Sequence, residues 1–256
     1  MSDNVIYKKD GAIGRIILAR PEKKNSLDYD TLQNLISCFS ASRENEDLCV
    51  IYEAQGKDFT VGADLKYGYH LMTDSARSEE SRAYLASFQE LTRVMLAHEG
   101  ILLAGLHGWV IGGGFEILLS CDLRAATKDT AIMMPELSMG LMFSNASTKL
   151  LPRLIGESRA KQLLFLGDRI DAQQAFEFGL VFHIADDIDS LNRFLEGTAE
   201  SIVKKGPLAL RRAKQLVREN QEEGMSSVLD KELDAMIETG QSRDCAARIK
   251  AFVEKK

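Results

Sequence analysis

Residues 108–117 read Gly-Trp-Val-Ile-Gly-Gly-Gly-Phe-Glu-Ile, or GWVIGGGFEI. An apolar run leads into three glycines, Gly112 to Gly114. Phe115–Ser120 follows with the pattern of a helix, and Glu116 falls in its first turn. A glycine turn that opens a helix is an anion site, because bare backbone N–H groups and the helix dipole favour negative charge there. This one carries its own carboxylate.

Three readings compete for the run. The dinucleotide fingerprint G-x-G-x-x-G matches Gly112 and Gly114 but meets Ile117 at its third glycine. Glu136 stands where that fingerprint wants an acidic residue, yet Glu116 occupies the place of the pyrophosphate and would repel it. In a structural reading, the glycines permit close helix–strand packing and Glu116 complements the positive helix end. In a catalytic reading, the N–H groups form an oxyanion hole for a substrate carbonyl and the carboxylate moves protons. The run by itself leaves the last two open. The catalytic reading wants a second N–H donor and often a second carboxylate. Phe59-Thr-Val-Gly-Ala-Asp-Leu65 offers a glycine-permitted bend at Gly62-Ala63, and Met134-Pro-Glu-Leu137 places Glu136 just after a proline at a strand end.

Outward from this centre, the chain alternates strands and helices. Val5–Tyr7 and Ile13–Leu18 are β-rich around the turn Lys9-Asp10-Gly11. Leu32, Leu35, Ile36 and Phe39 recur at helical spacing behind Ser26 or Asp28 as cap. Leu48–Ala54 reads as a strand and Phe59–Ala63 as a further extended piece. The polar stretch 66–82 is expected to contain a mobile surface loop, and Ser81–His98 reads as an amphipathic helix. Strands are expected at Ile101–Leu106, Asp122–Ala126, Ala131–Met134 and Val181–Ile184. Asp171-Ala-Gln-Gln174 is a capping box. The tail is helical and charged, with Leu208, Ala209, Arg212, Ala213 and Leu216 in register. A division into a mixed α/β core, 1–195, and a helical segment, 196–256, follows. Such a segment is too small to bury its own apolar face, so it should pack on the core or on another subunit.

The chain has 256 residues and a net charge of −6, which disfavours nucleic acid as a partner. Four scattered cysteines and four scattered histidines show no metal-binding spacing, so no metal is expected, and they fit a reducing compartment, the cytoplasm. The first residues lack the apolar core of a secretory signal, and no run approaches the roughly 20 apolar residues of a membrane helix.

Taken together, LARPEKKNSL (18–27), GADL (62–65), HGWVIGGGFEILLSCDLRAAT (107–127), MPELSMGL (134–141), LPRLIG (151–156), FLGDRIDAQQAFEFGLV (165–181) and KAFVEKK (250–256) resemble the enoyl-CoA hydratase/isomerase, or crotonase, superfamily. Their order covers almost the whole chain. The resemblance implies an α/β fold of repeated β-β-α units wound into a superhelix, with a C-terminal helical segment used in trimer contacts, and a homotrimer or a hexamer of two trimers. It implies a coenzyme A thioester as substrate, with CoA part of that substrate and no tightly bound cofactor. It places the thioester oxygen on the N–H groups of Ala63 and Gly113, and the two glutamates of the hydratase branch on Glu116 and Glu136. Ala63, Asp64, Leu65 and Lys66 would run along the CoA and acyl moiety, while Lys24, Phe252 and Lys255 are candidates for holding its nucleotide end.

The implied reaction is syn addition of water to a 2-enoyl-CoA. Double-bond isomerisation, decarboxylation, thioester hydrolysis and a weakly active CoA-thioester-binding paralogue remain alternatives, because one site supports several chemistries. One segment departs from the hydratase pattern L-G-x-x-P-G-x-G-G-T. Here Phe143, Ser144, Ala146 and Ser147 replace the proline and three glycines. Trp109, Met134, Phe143 and Ser144 are candidates for the acyl-pocket wall, and Ser144 and Asn145 also read as N-caps for the helix that follows. His107 is expected to be packed and hydrogen-bonded, and Asp122 to brace backbone.

Overall fold

A computed structural model describes residues 4–254. The chain divides between Ala199 and Glu200 into two compact units.

The first unit begins with strands β1 (Val5–Asp10) and β2 (Ile13–Leu18), an antiparallel hairpin around Gly11. Helix α1 (Tyr29–Glu44) starts at Asp28, whose carboxylate accepts from Thr31 N, and buries Leu32, Leu35 and Phe39. Strand β3 (Cys49–Ala54), helices α2 (Leu65–Met72) and α3 (Ser78–Leu96), and strand β4 (Ile101–Leu106) follow. Then come β5 (Trp109–Ile111), α4 (Gly113–Leu118), β6 (Leu123–Thr127) and β7 (Ala131–Met133). Helices α5 (Ser147–Ile155) and α6 (Glu157–Leu166), strand β8 (Ile170–Asp171), α7 (Ala172–Glu177), β9 (His183–Ala185) and α8 (Ile188–Val203) complete the sequence of elements up to the division, which falls inside α8. The six-stranded sheet runs β1-β2-β3-β4-β6-β9, parallel from β2 onward, and a three-stranded sheet runs β5-β7-β8. Central strands of a parallel sheet are covered on both faces and so read as unbroken apolar runs. Residues 49–52 and 102–106 are accordingly buried throughout.

Two sequence expectations need correction here. The stretch 66–82 is mostly helical rather than loop. Asp64 caps α2 by accepting from Tyr67 N, Asp74 caps a 3-10 turn at Ser75–Arg77, and α3 is already helical from Ser78. Leu71 and Tyr84 reach the core, and the Tyr67 and Tyr84 rings meet edge to face with centroids 5.1 Å apart. Sparse apolar residues and strong caps stabilise these short helices where a search for long amphipathic periodicity finds nothing. Ser144 and Asn145 do not cap α5 either. Its N-cap is Ala146, left-handed at φ 59°, with no side-chain cap.

The second unit contains α9 (Pro207–Glu219), α10 (Met225–Gly240) and α11 (Arg243–Val253). None of these helices has a buried residue. Polar ties link them. Arg212 grips Glu238 with Nε and Nη2 at 2.6 and 2.7 Å, and Arg248 donates to the carbonyls of Lys204 and Lys205. Met225, Met236 and Phe252 remain 73%, 71% and 83% exposed. Among the described residues no helix is long and apolar enough to cross a membrane.

Candidate active site

Phe59–Ala63 runs beside β5 and ties the two halves of the site. Thr60 N donates to Trp109 O and Ile111 N to Thr60 O, while Leu27 N donates to Gly62 O and Asp64 N to Leu27 O. Gly62 has φ +81°, and a Cβ there would lie 2.6 Å from Ile111 O and 3.4 Å from Gly113 N. Only glycine brings this bend so close to the start of α4. The backbone amides of Ala63 and Gly113 are thereby neighbours. Neither donates to an acceptor among the described residues, and both residues are half-buried. Gly113 is the first residue of α4, where N–H groups lack helical acceptors by geometry.

Glu116 lies in the first turn of α4, its N–H donating to Gly112 O, and its side chain is buried. Its Oε2 accepts three hydrogen bonds: from Ser144 N at 3.1 Å, Asn145 N at 3.1 Å and Ser147 Oγ at 2.6 Å. Burial pushes the Glu116 carboxyl above its ordinary value, and these three donors oppose that, Ser147 most. Glu136 opens a 3-10 turn, Glu136–Met139, directly after Pro135 at the end of β7. Gly112 N donates to Met133 O, which sets β7 against the glycine run. Gly112 has φ +54°, and a Cβ on it would stand 2.7 Å from Glu136 Oε1. Glu136 is buried, and among the described residues its Oε2 has no hydrogen-bond partner. Burial foremost, and then the charge of Glu116, push its carboxyl up to about 7. The arrangement thus holds two N–H donors without acceptors beside two buried carboxyl groups of unequal surroundings. That is equipment for stabilising a carbonyl anion while protons move.

The other candidates fall in different places. Asp64 is committed to the fold: its carboxylate accepts from Tyr67 N and Ser26 Oγ and lies 3.5 Å from Arg20. Leu65 and Lys66, beside it, are exposed. Lys24 is exposed and left-handed at φ 51°, and its carbonyl accepts from Val61 N, so its loop borders the Ala63 segment. Met134 is buried in the core, Phe143 packs partly against it, and Ser144 is half-buried. Trp109 is half-buried with the Arg169 guanidinium 5.7 Å over its ring. Phe252 is exposed on α11, and Lys255 lies outside the described residues. His107 is buried and bonded to Gly56 O, and Asp122 accepts from Leu102 N.

Two residues had no assigned part in the sequence reading. Ser147 clamps Glu116; a polar residue where the hydratase pattern has glycine was its only signal. Arg124 is buried and donates to the carbonyls of Leu118, Cys121 and Leu180. It meets the last carbonyl of the short helix that carries Gly113 and Glu116, Leu118 O, and that of Cys121 in the turn after it, where a cation also suits the dipole.

The sequence model of the family described as enoyl-CoA hydratase/isomerase matches residues 8–256. Crotonyl-CoA hydratase of Syntrophomonas wolfei is 30% identical over 256 residues, covering 99% of this chain and 96% of its own. The short-chain-enoyl-CoA hydratase of Clostridium acetobutylicum is 30% identical with the same coverage. A crystal structure of enoyl-CoA hydratase from Bacillus anthracis superposes with a TM-score of 0.91 at 27% identity, over 99% of this chain and 97% of that one.

Proposed function

The chain belongs to the enoyl-CoA hydratase/isomerase family, and from that premise we propose that it hydrates a 2-enoyl-CoA thioester. The observation that carries the reading is the pair of buried carboxyls, Glu116 and Glu136, beside the acceptor-free N–H groups of Ala63 and Gly113. The thioester oxygen accepts from both N–H groups, which draws electrons from the conjugated double bond and leaves the β-carbon electrophilic. Water adds its oxygen to that carbon and gives a proton to ionised Glu116. The electron pair of the double bond passes to the α-carbon, which takes a proton from neutral Glu136. One carboxyl near neutrality beside one clamped by three donors supports this division of labour.

Around that centre, Leu65, Lys66 and the backbone of Asp64 border the CoA path, Lys24 approaches its phosphates, and Trp109, Met134, Phe143 and Ser144 wall the acyl group. The exposed apolar side chains of α9–α11 support a homotrimer or a hexamer of two trimers, and four scattered cysteines without framework spacing support a cytoplasmic site of action.

The test is incubation with crotonyl-CoA, following loss of the conjugated thioester absorbance and the product mass. Gain of one water is expected. An unchanged mass with a shifted double bond would make the enzyme an isomerase. Loss of carbon dioxide or release of free CoA would assign decarboxylation or hydrolysis. Binding without turnover would make it a CoA-thioester binder.

A further inference from the structure

Ser147 stands at a position where the hydratase pattern has glycine, and it is the first residue of α5. Its hydroxyl is 2.6 Å from Glu116 Oε2, and Ser147 is 1% exposed, so water does not compete for it. The N–H groups of Ser144 and Asn145 meet the same oxygen. Three donors converging on one carboxylate oxygen fix the plane of the group and leave Oε1 without a partner among the described residues. Two of those donors are backbone and would survive many side-chain changes. The third exists only because residue 147 carries a hydroxyl. Glu136 has no such set: among the described residues its Oε2 is unpartnered and no side chain donates to it.

We propose that Ser147 is a positioning residue whose hydroxyl holds Glu116 ionised and correctly turned, so that Glu116 takes the part of base and Glu136 that of acid. The roles of base and acid rest on the hydration reading; the hold on Glu116 does not. A hydroxyl gains more by donating to a carboxylate than to a neutral carboxyl, so it favours the charged form. Two carboxyls close enough to repel titrate as a pair, and a donor placed on one of them decides which ionises first. Among the influences on Glu116, the Ser147 hydroxyl is the foremost opposing burial.

The proposal is tested on the full chain by infrared difference titration of the carboxyl C=O band. Glu116 is assigned by the band lost in Glu116→Gln. In Ser147→Ala the Glu116 midpoint should rise by about one pH unit, the scale of one hydrogen bond to a charged group. The acid limb of kcat/KM on crotonyl-CoA should move up with it, and Ser147→Thr, which keeps the hydroxyl, should restore both. An unmoved Glu116 midpoint in a folded Ser147→Ala protein overturns the proposal. If that variant does not fold, Ser147→Gly carries the same comparison. A wild-type protein inactive on crotonyl-CoA would sink the hydration reading, and the titration would still decide whether Ser147 holds Glu116 ionised.

Discussion

Gly112 and Glu136 explain each other. The place where a Cβ on residue 112 would sit is 2.7 Å from Glu136 Oε1, so the glycine run makes room for the second carboxyl. Gly112→Ala must either displace Glu136 or distort the start of α4, and at φ +54°, ψ −132°, a backbone region that side chains rarely adopt, it adds roughly 1–3 kcal/mol of strain. Its kcat on crotonyl-CoA should fall at least about tenfold, consistent with a misplaced proton donor, and a steady-state assay of the folded variant decides. Glu116→Gln and Glu136→Gln should each lower kcat about 10²–10⁴-fold, the usual contribution of a general acid or base; full turnover in both variants would end the two-carboxyl mechanism. Glu136 also links stability to pH. Its folded carboxyl is raised from 4.5 to about 7, so the folded state holds a proton that the unfolded chain has released. The resulting stabilisation is fully present below 4.5 and is lost as pH rises through about 7. Thermal melts from pH 4.5 to 7.5 should therefore show a steeper fall in Tm for the wild type than for Glu136→Gln, whose side chain stays neutral.

Short helices and turns, rather than the long strands, position the N–H groups of Ala63 and Gly113, the proposed oxyanion donors. Asp64 ends the Gly62-Ala63 bend, caps α2 and is tied to Ser26 and Arg20. Asp64→Ala removes the cap, costing about 1 kcal/mol, and frees the Ala63 N–H to drift. We expect a lower Tm together with a raised KM and a reduced kcat, measured in the same steady-state assay. The same elements show how much a linear reading can reach. The GGGFE, GADL and PEL segments are each local, and their residue types carry their geometry: glycine for a positive φ, proline before a strand exit, a helix start for bare amides. The apolar runs of β3 and β4 and the Asp28 cap of α1 were legible for the same reason. The helix of α3 was legible from its periodic apolar face, whereas α2 was missed because it is short and buries only Gly68 and Leu71. The Ser147 clamp was hard to read because it joins residues 31 apart, and two of its three bonds come from backbone N–H groups, which no residue type announces. Capping was the natural local role for Ser144 and Asn145, and a tertiary demand from a buried carboxylate overrode it.

The second unit poses a question that no single helix answers. Helices α9–α11 bury no residue, yet they carry Met225, Leu229, Leu233, Met236 and Phe252, each more than half exposed. Three helices held by ion pairs such as Arg212–Glu238 gain little, since exposed pairs contribute about 0–1 kcal/mol each. In the proposed homo-oligomer another subunit would cover such a surface. Substitution separates the two cases. On a surface that stays in water, replacing Met236 with lysine should change stability by no more than about 0.5 kcal/mol. On a surface buried by self-association, the same change places a charge in an apolar contact and should shift the assembly toward monomer. Light scattering coupled to size exclusion, together with Tm measured over a hundredfold range of protein concentration, reads both effects. We expect the wild type to be a trimer or larger with a concentration-dependent Tm, and Met236→Lys to lose mass and concentration dependence together. A wild type that is monomeric with the same Tm throughout would mean that these side chains need no subunit to cover them.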